Sequence, residues 1–276
     1  MALWDKLGGG GNIEDRRGAS ALGIGGGLLA TVVTLALGYF GISADPALIE
    51  QLIAASGVTS QSEQSSEFSG ADSYETFASN VIGSTDKYWK AELAGVVDYP
   101  SPKLVLFRTA TQSGCGIATS EVGPHYCPAD QRIYLDETFF DVLAERLGGS
   151  NGDVAQAYVM AHEVGHHVQN VTGTMEQVQS DPDYQATGGN SLSVRLELQA
   201  DCYAGAWANS IRGAGVFESE QEIQEAIDAA AAVGDDRIQS STGSVNPETW
   251  THGSSAQRVE AFNRGWNSGD STVCRL

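Results

Sequence analysis

Two histidines four residues apart, with a glutamate beside the first, are the residues in this chain best placed to do chemistry together: His162-Glu163-Val164-Gly165-His166. On a helix, positions i and i+4 share one face a turn apart, so both imidazoles can be aimed at a single cation. Zn²⁺ suits such a pair. The neighbouring Glu163 can reach a water polarised by the metal and take its proton as that water attacks a carbonyl. Ala157, Tyr158, Ala161, Val164 and Val168 give an apolar helical stripe around the motif. The competing reading is a buried helix with hydrogen-bonded histidines. With only five histidines in 276 residues, the pattern does not arise readily by chance.

A catalytic zinc usually takes three protein ligands and leaves one position open. Glu197-Leu198-Gln199-Ala200-Asp201 supplies two carboxylates at i and i+4 in an otherwise apolar stretch. Glu197 is the candidate third ligand. Asp201 is placed to accept the N–H of a zinc-binding histidine. The bland alternative, a solvated face carrying Arg195 and Glu197, explains less, because the flanking residues read as buried. His252, in Trp250-Thr251-His252-Gly253-Ser254, either stabilises an oxyanion or is an ordinary surface histidine near a helix start. His167 points about 100° away from His166 on a helix and reads as packed or solvated. His125 lies in a loop between Cys115 and Cys127 that reads as structural.

These residues need elements to hold them. The pattern predicts helices over Tyr74–Ala94, Glu137–Leu147, Asp153–Val171, Ser191–Ile211, Glu218–Val233 and Ser254–Asn267, with Asp153 or Ser150 capping the third. Strands are expected at Lys103–Thr109 and Gln131–Leu135. Helices dominate, with a small sheet placed early, so the fold class is α+β.

Ahead of this domain, residues 22–42 carry no charge over 21 residues, enough for a helix of about 31 Å, a bilayer core. A transmembrane helix is expected there; a cleaved signal peptide or a buried soluble helix is the alternative. Lys6, Arg16 and Arg17 precede the stretch and no Lys or Arg follows until Lys87. The positive-inside rule then puts residues 1–21 in the cytoplasm and the rest outside. Residues 43–72 form a linker, rich in Ser, Gln and Glu over 54–72, and the folded domain is expected to span 73–276. The balance of 15 Lys+Arg against 35 Asp+Glu, net −20, gives no basic patch and argues against a nucleic-acid partner. Four cysteines without a C-x-x-C pair disfavour a structural zinc knot. Of the three possible pairings we favour Cys115–Cys127, closing a short loop, and Cys202–Cys274, pinning the C-terminus. Four buried free thiols are the alternative in a reducing compartment.

The stretches NIEDRRG, PADQRIYLD, AHEVGHHVQN, RLELQADCYAGAWA, GDDRIQ and THGSSAQRVEAFNRGW together resemble the bacterial neutral zinc metallopeptidase family over most of the chain. The resemblance implies a zincin-like domain with zinc as cofactor and a protein or peptide as substrate. Glu197-x-x-Ala200-Asp201 is also similar to the E-x-x-A-D of membrane-associated zinc peptidases, which implies a ligand role for Glu197 and a supporting role for Asp201. A T-H-P-S-like motif of that group reads Thr251-His252-Gly253-Ser254 here, and this favours the oxyanion role for His252. In related zincin folds an edge strand pairs with extended substrate, and Gln131–Leu135 is the expected counterpart. The expectation is a membrane-anchored metalloendopeptidase. Its rivals are a catalytically silent, zinc-stabilised module binding envelope proteins, and a soluble secreted protease.

Overall fold

The computed structural model describes residues 3–18, 66–67, 72–217 and 219–276. The expected span at 22–42 and most of the linker lie outside them; among the described residues no helix is long and apolar enough to cross a membrane.

The described residues pack helices against one face of a small sheet, around a main core, with a smaller cluster on its other face. Strands β1 (Ile13–Asp15), β2 (Ser66–Glu67), β3 (Lys103–Leu106), β6 (His125–Cys127) and β7 (Arg132–Leu135) form a sheet in the order β2-β1-β3-β7-β6. Strands β1 and β7 run parallel to β3; β2 and β6 are antiparallel to their neighbours. Strands β4 (Ala110–Ser113) and β5 (Gly116–Thr119) make a separate hairpin. Residues alternate across a strand, so β3 and β7 serve two faces. Leu104, Leu106, Ile133 and Leu135 enter the main core, while Val105, Phe107 and Tyr134 pack with Ala118 and Cys127 in a second cluster. Coverage of both faces explains why β3 reads as an unbroken apolar run.

Eight α-helices lie among the described residues: α1 (Ser73–Glu92), α2 (Phe139–Leu147), α3 (Asp153–Val171), α4 (Thr174–Gln179), α5 (Leu192–Ser210), α6 (Ile223–Ala232), α7 (Asp235–Thr242) and α8 (Ser255–Ser268). Helix α3 is central: it touches α1, α5, α6, β6 and β7 and is buried along most of its length. Neither Asp153 nor Ser150 caps it; its N-cap is Gly152, and Glu225 from α6 accepts the Val154 N–H. Ser191 caps α5, and Ser254 with Gln257 forms a capping box on α8.

The sequence-based boundaries differ in several places, and the helix expected from Glu218 begins only at Ile223. The expected strand Lys103–Thr109 ends at Leu106, and α4 and α7 are short helices that the apolar pattern does not announce. Strand β7 is interior, bonded on both sides, so the sheet's outer strand beside it is β6 rather than Gln131–Leu135. Most consequentially, residues 3–18 belong to the domain. Trp4 and Ile13 are core residues, β1 pairs with β3, and the Leu3 N–H donates to the Val216 carbonyl. A three-residue strand reading Ile-Glu-Asp has no periodicity to reveal it. The three cations read as flanking a membrane are engaged within the fold. Lys6 donates to the Gly215 carbonyl, Arg16 pairs with Glu14, and Arg17 pairs with Asp15, Asp72 and Glu137.

Candidate metal centre

His162 and His166 project from α3 and Glu197 from α5, and the structure brings all three together. One ligand atom from each lies within 4.8 Å of the others. Nε2 of His162 is 3.3 Å from Glu197 Oε2, and Nε2 of His166 is 3.3 Å from Oε1. With metal–ligand bonds of about 2.0–2.1 Å, the edge of a zinc tetrahedron is about 3.3–3.4 Å, so the donor set fits that ion. Close approach of the two helices makes this possible. A Cβ on Gly165, inside the histidine motif, would lie 3.0 Å from the Ala200 Cα.

The far nitrogen of each imidazole is held, which fixes the tautomer and leaves Nε2 for a cation. Nδ1 of His162 lies 2.8 Å from Asp201 Oδ1, and Nδ1 of His166 lies 2.8 Å from Gln169 Oε1. Asp201 is fully buried and saturated with donors. Besides His162 it accepts from the Tyr158 hydroxyl at 2.6 Å, Arg258 Nε at 2.8 Å and Arg258 Nη2 at 2.9 Å. Gln169 continues inward: its amide donates to the Leu196 carbonyl and to Gln199 Oε1, and Gln199 donates to the Cys274 carbonyl. Cys274 is bonded to Cys202, and Cys115 to Cys127, the two expected pairings.

The charges are balanced for a cation. Burial alone would push the Glu197 carboxyl up, yet the two imidazoles hold it well below its usual range. Burial likewise raises Asp201, and Arg258 with His162 overrides it to leave the carboxyl lowered. For His162, burial favours the neutral ring, but the charge and hydrogen bond of Asp201, with Glu197, raise its pKa to about 10. Protons on these rings are what a divalent ion must displace.

A cleft of about 990 Å³ opens over the cluster. Glu163 and His252 line it with His162, His166 and Glu197, so every sequence-predicted site residue except Asp201 faces one cavity, and Asp201 sits directly behind. Nδ1 of His252 is 3.3 Å from Asp235 Oδ1, while Asp235 Oδ2 accepts the backbone N–H groups of Thr251, His252 and Gly253. Gly253 has φ of 88°, a conformation closed to proline, which is why this loop reads Thr-His-Gly-Ser. His125 and Tyr126 of the outer strand β6 also line the cleft, whereas His167 is buried between the Tyr126 hydroxyl and the Pro100 carbonyl. Burial lowers the His167 pKa to about 4.

Sequence reasoning missed three residues. Tyr158 stands four before His162 on the same helical face, and Gln169 three after His166; both spacings were legible. Arg258 had only its place at the end of Thr251–Arg258 to mark it.

Two imidazoles and a carboxylate converge below a cleft with a second carboxylate beside them, a donor set that could hold one divalent cation. The chain belongs to the zinc-dependent family described as "Putative neutral zinc metallopeptidase", which matches residues 2–276. It is 41% identical over 277 residues to the uncharacterized protein YpfJ of Escherichia coli K12, covering 95% of this chain and 94% of that one. It is 46% identical over 218 residues to the uncharacterized protein Rv2575 of Mycobacterium tuberculosis, covering 74% and 72%. Mb2605 of Mycobacterium bovis is similar to the same extent. No solved structure matches the chain.

Proposed function

We propose that this chain is a zinc-dependent endopeptidase whose metal is held by His162, His166 and Glu197. The observation that carries the reading is the 3.3 Å spacing of the two Nε2 atoms from the Glu197 oxygens, with both Nδ1 atoms already engaged. Zinc, when bound there, supplies a Lewis acid for a peptide carbonyl and for water. Glu163, which lines the cleft next to His162, takes the proton of the attacking water and delivers it to the leaving amine. His252 donates to the oxygen that gains charge in the tetrahedral intermediate. Asp201 orients His162. An extended peptide adds to β6, the outer strand bordering the cleft.

The same reading holds the domain at a bilayer through the apolar residues 22–42. The two disulfides support an oxidising, extracytoplasmic setting for it.

Metal content and cleavage of casein or a peptide library, measured on the full chain beside Glu163→Gln, test the proposal. One zinc per chain in both proteins, with turnover lost only in the variant by about 10²–10⁴-fold, is expected. Zinc in both with no cleavage by either would favour a silent envelope protein-binding module. Properly folded, zinc-supplied protein that holds no metal would overturn the centre itself.

A further inference from the structure

The N-terminal arm is built into the domain from several directions. Strand β1 has partners on both sides, β2 and β3, so its peptide groups are interior to the sheet. The Asn12 carbonyl accepts from Leu104 N–H at 2.9 Å, and the Arg16 N–H donates to the Leu106 carbonyl at 2.7 Å. The glycine run before β1 lies on α1 with backbone touching backbone. A Cβ on Gly11 would fall 2.6 Å from the Ser79 carbonyl oxygen, and one on Gly83 would fall 2.5 Å from that of Gly9. Two separate segments thus each need glycine for one contact. Where the described arm ends, Arg17 is ion-paired with Asp72, the residue at which the chain is next described continuously, and with Glu137.

We infer that residues 3–18 and the domain formed by residues 72–276 lie on the same side of any membrane the chain meets. The path from Gly18 to Asp72 therefore crosses a bilayer an even number of times, zero included. A single crossing would set Arg17 and Asp72 about 30 Å apart on opposite faces. It would also strip β3 of its β1 partner, leaving buried N–H and C=O groups unsatisfied. A second crossing has no obvious segment: after residue 42 the longest run without a charge is 51–62, twelve residues, against about twenty for a spanning helix. The positive-inside argument loses its force, since Lys6, Arg16 and Arg17 are consumed by partners in the fold. Nothing in this depends on the peptidase reading.

The test uses the full chain, produced in bacterial cells. All four native cysteines are in disulfides. A single new thiol is placed in the arm at exposed Asn12 (Asn12→Cys), with Leu3→Cys as a second arm position, and in the domain at Val96, which is 76% exposed. Each is labelled with a membrane-impermeant maleimide in intact and in permeabilised cells, and each protein's fold is checked by its melting temperature. The expected result is that arm and domain thiols behave alike, both labelled in intact cells or both only after permeabilisation. Labelling of one in intact cells and of the other only after permeabilisation, at either arm position, would overturn the inference. As a counter-case, Gly83→Val drives a side chain into the arm and should make the Asn12→Cys thiol react faster in permeabilised cells.

Discussion

Arg258 grips Asp201 with two nitrogens, Nε on Oδ2 at 2.8 Å and Nη2 on Oδ1 at 2.9 Å, and both side chains are buried. The arginine also reaches the candidate ligands themselves, with Nη2 3.4 Å from Nδ1 of His162, and it lines the cleft. It neutralises the carboxylate that sets the ring of His162, and its Nη2 stands 3.7 Å from Glu197 Oε2. The candidate metal centre therefore rests on α8, an element that supplies none of its three candidate ligands.

Arg258→Met should leave Asp201 charged and uncompensated, costing about 3–5 kcal/mol of stability. Loss of orientation at His162 should weaken zinc binding about 10–100-fold. Adding Asp201→Leu should recover much of the stability but not the metal affinity, because His162 then has no partner on Nδ1. Denaturant unfolding and chelator competition on the two variants separate these effects; equal recovery of both would refute the positioning role.

His252 should govern the alkaline side of the activity profile. The hydrogen bond to Asp235 lifts its pKa above the ordinary histidine value, against burial, with Glu197 adding to the rise. A group raised in this way carries its proton at low pH and loses it as pH climbs through the raised value. Peptidase activity that needs the imidazolium should fall over that range, and Asp235→Asn should move the fall to lower pH. His252→Ala should lower kcat about 10²–10³-fold with little change in KM. An alkaline limb unmoved by Asp235→Asn would show that His252 is not the titrating group.

The disulfides should contribute unequally. Loop-closure entropy gives about 3 kcal/mol for the pair 12 apart and about 4 kcal/mol for the pair 72 apart. Only Cys202–Cys274 joins the chain of contacts running through Gln199 and Gln169 to His166. Replacing Cys202 and Cys274 by Ala should lower both stability and zinc affinity, whereas replacing Cys115 and Cys127 should lower stability alone. Unfolding and zinc titration of the two double variants decide this.

A fragment of residues 73–276 should be poorly soluble and unstable, since it lacks β1 and the Trp4 anchor and bares the edge of β3. Joining Gly18 to Asp72 through a short flexible linker should restore a cooperative melt. A fragment 73–276 that melts as well as the joined form would show the arm to be dispensable.

Much of the centre was legible because it is local. His162, Glu163 and His166 follow from helical spacing, and so do Glu197 and Asp201, since the period of a helix fixes which residues share a face. The helices bearing them were legible for the same reason, with Asp153–Val171 found at its observed ends. Short elements were not. β1, β6, α4 and α7 are too brief for any period to stand out, so the cleft's outer strand was assigned to β7 one place inward.

What the sequence alone determined is which side chains share a helix face, His162 with His166 and Glu197 with Asp201, because a helical period sets them a turn apart. What only the tertiary structure decided is the company they keep. Arg258 reaches Asp201 across 57 residues, Gln199 reaches the Cys274 carbonyl across 75, and Arg17 reaches Asp72 across 55. Contacts at such separations depend on how helices and strands pack, and no local pattern of residues encodes them.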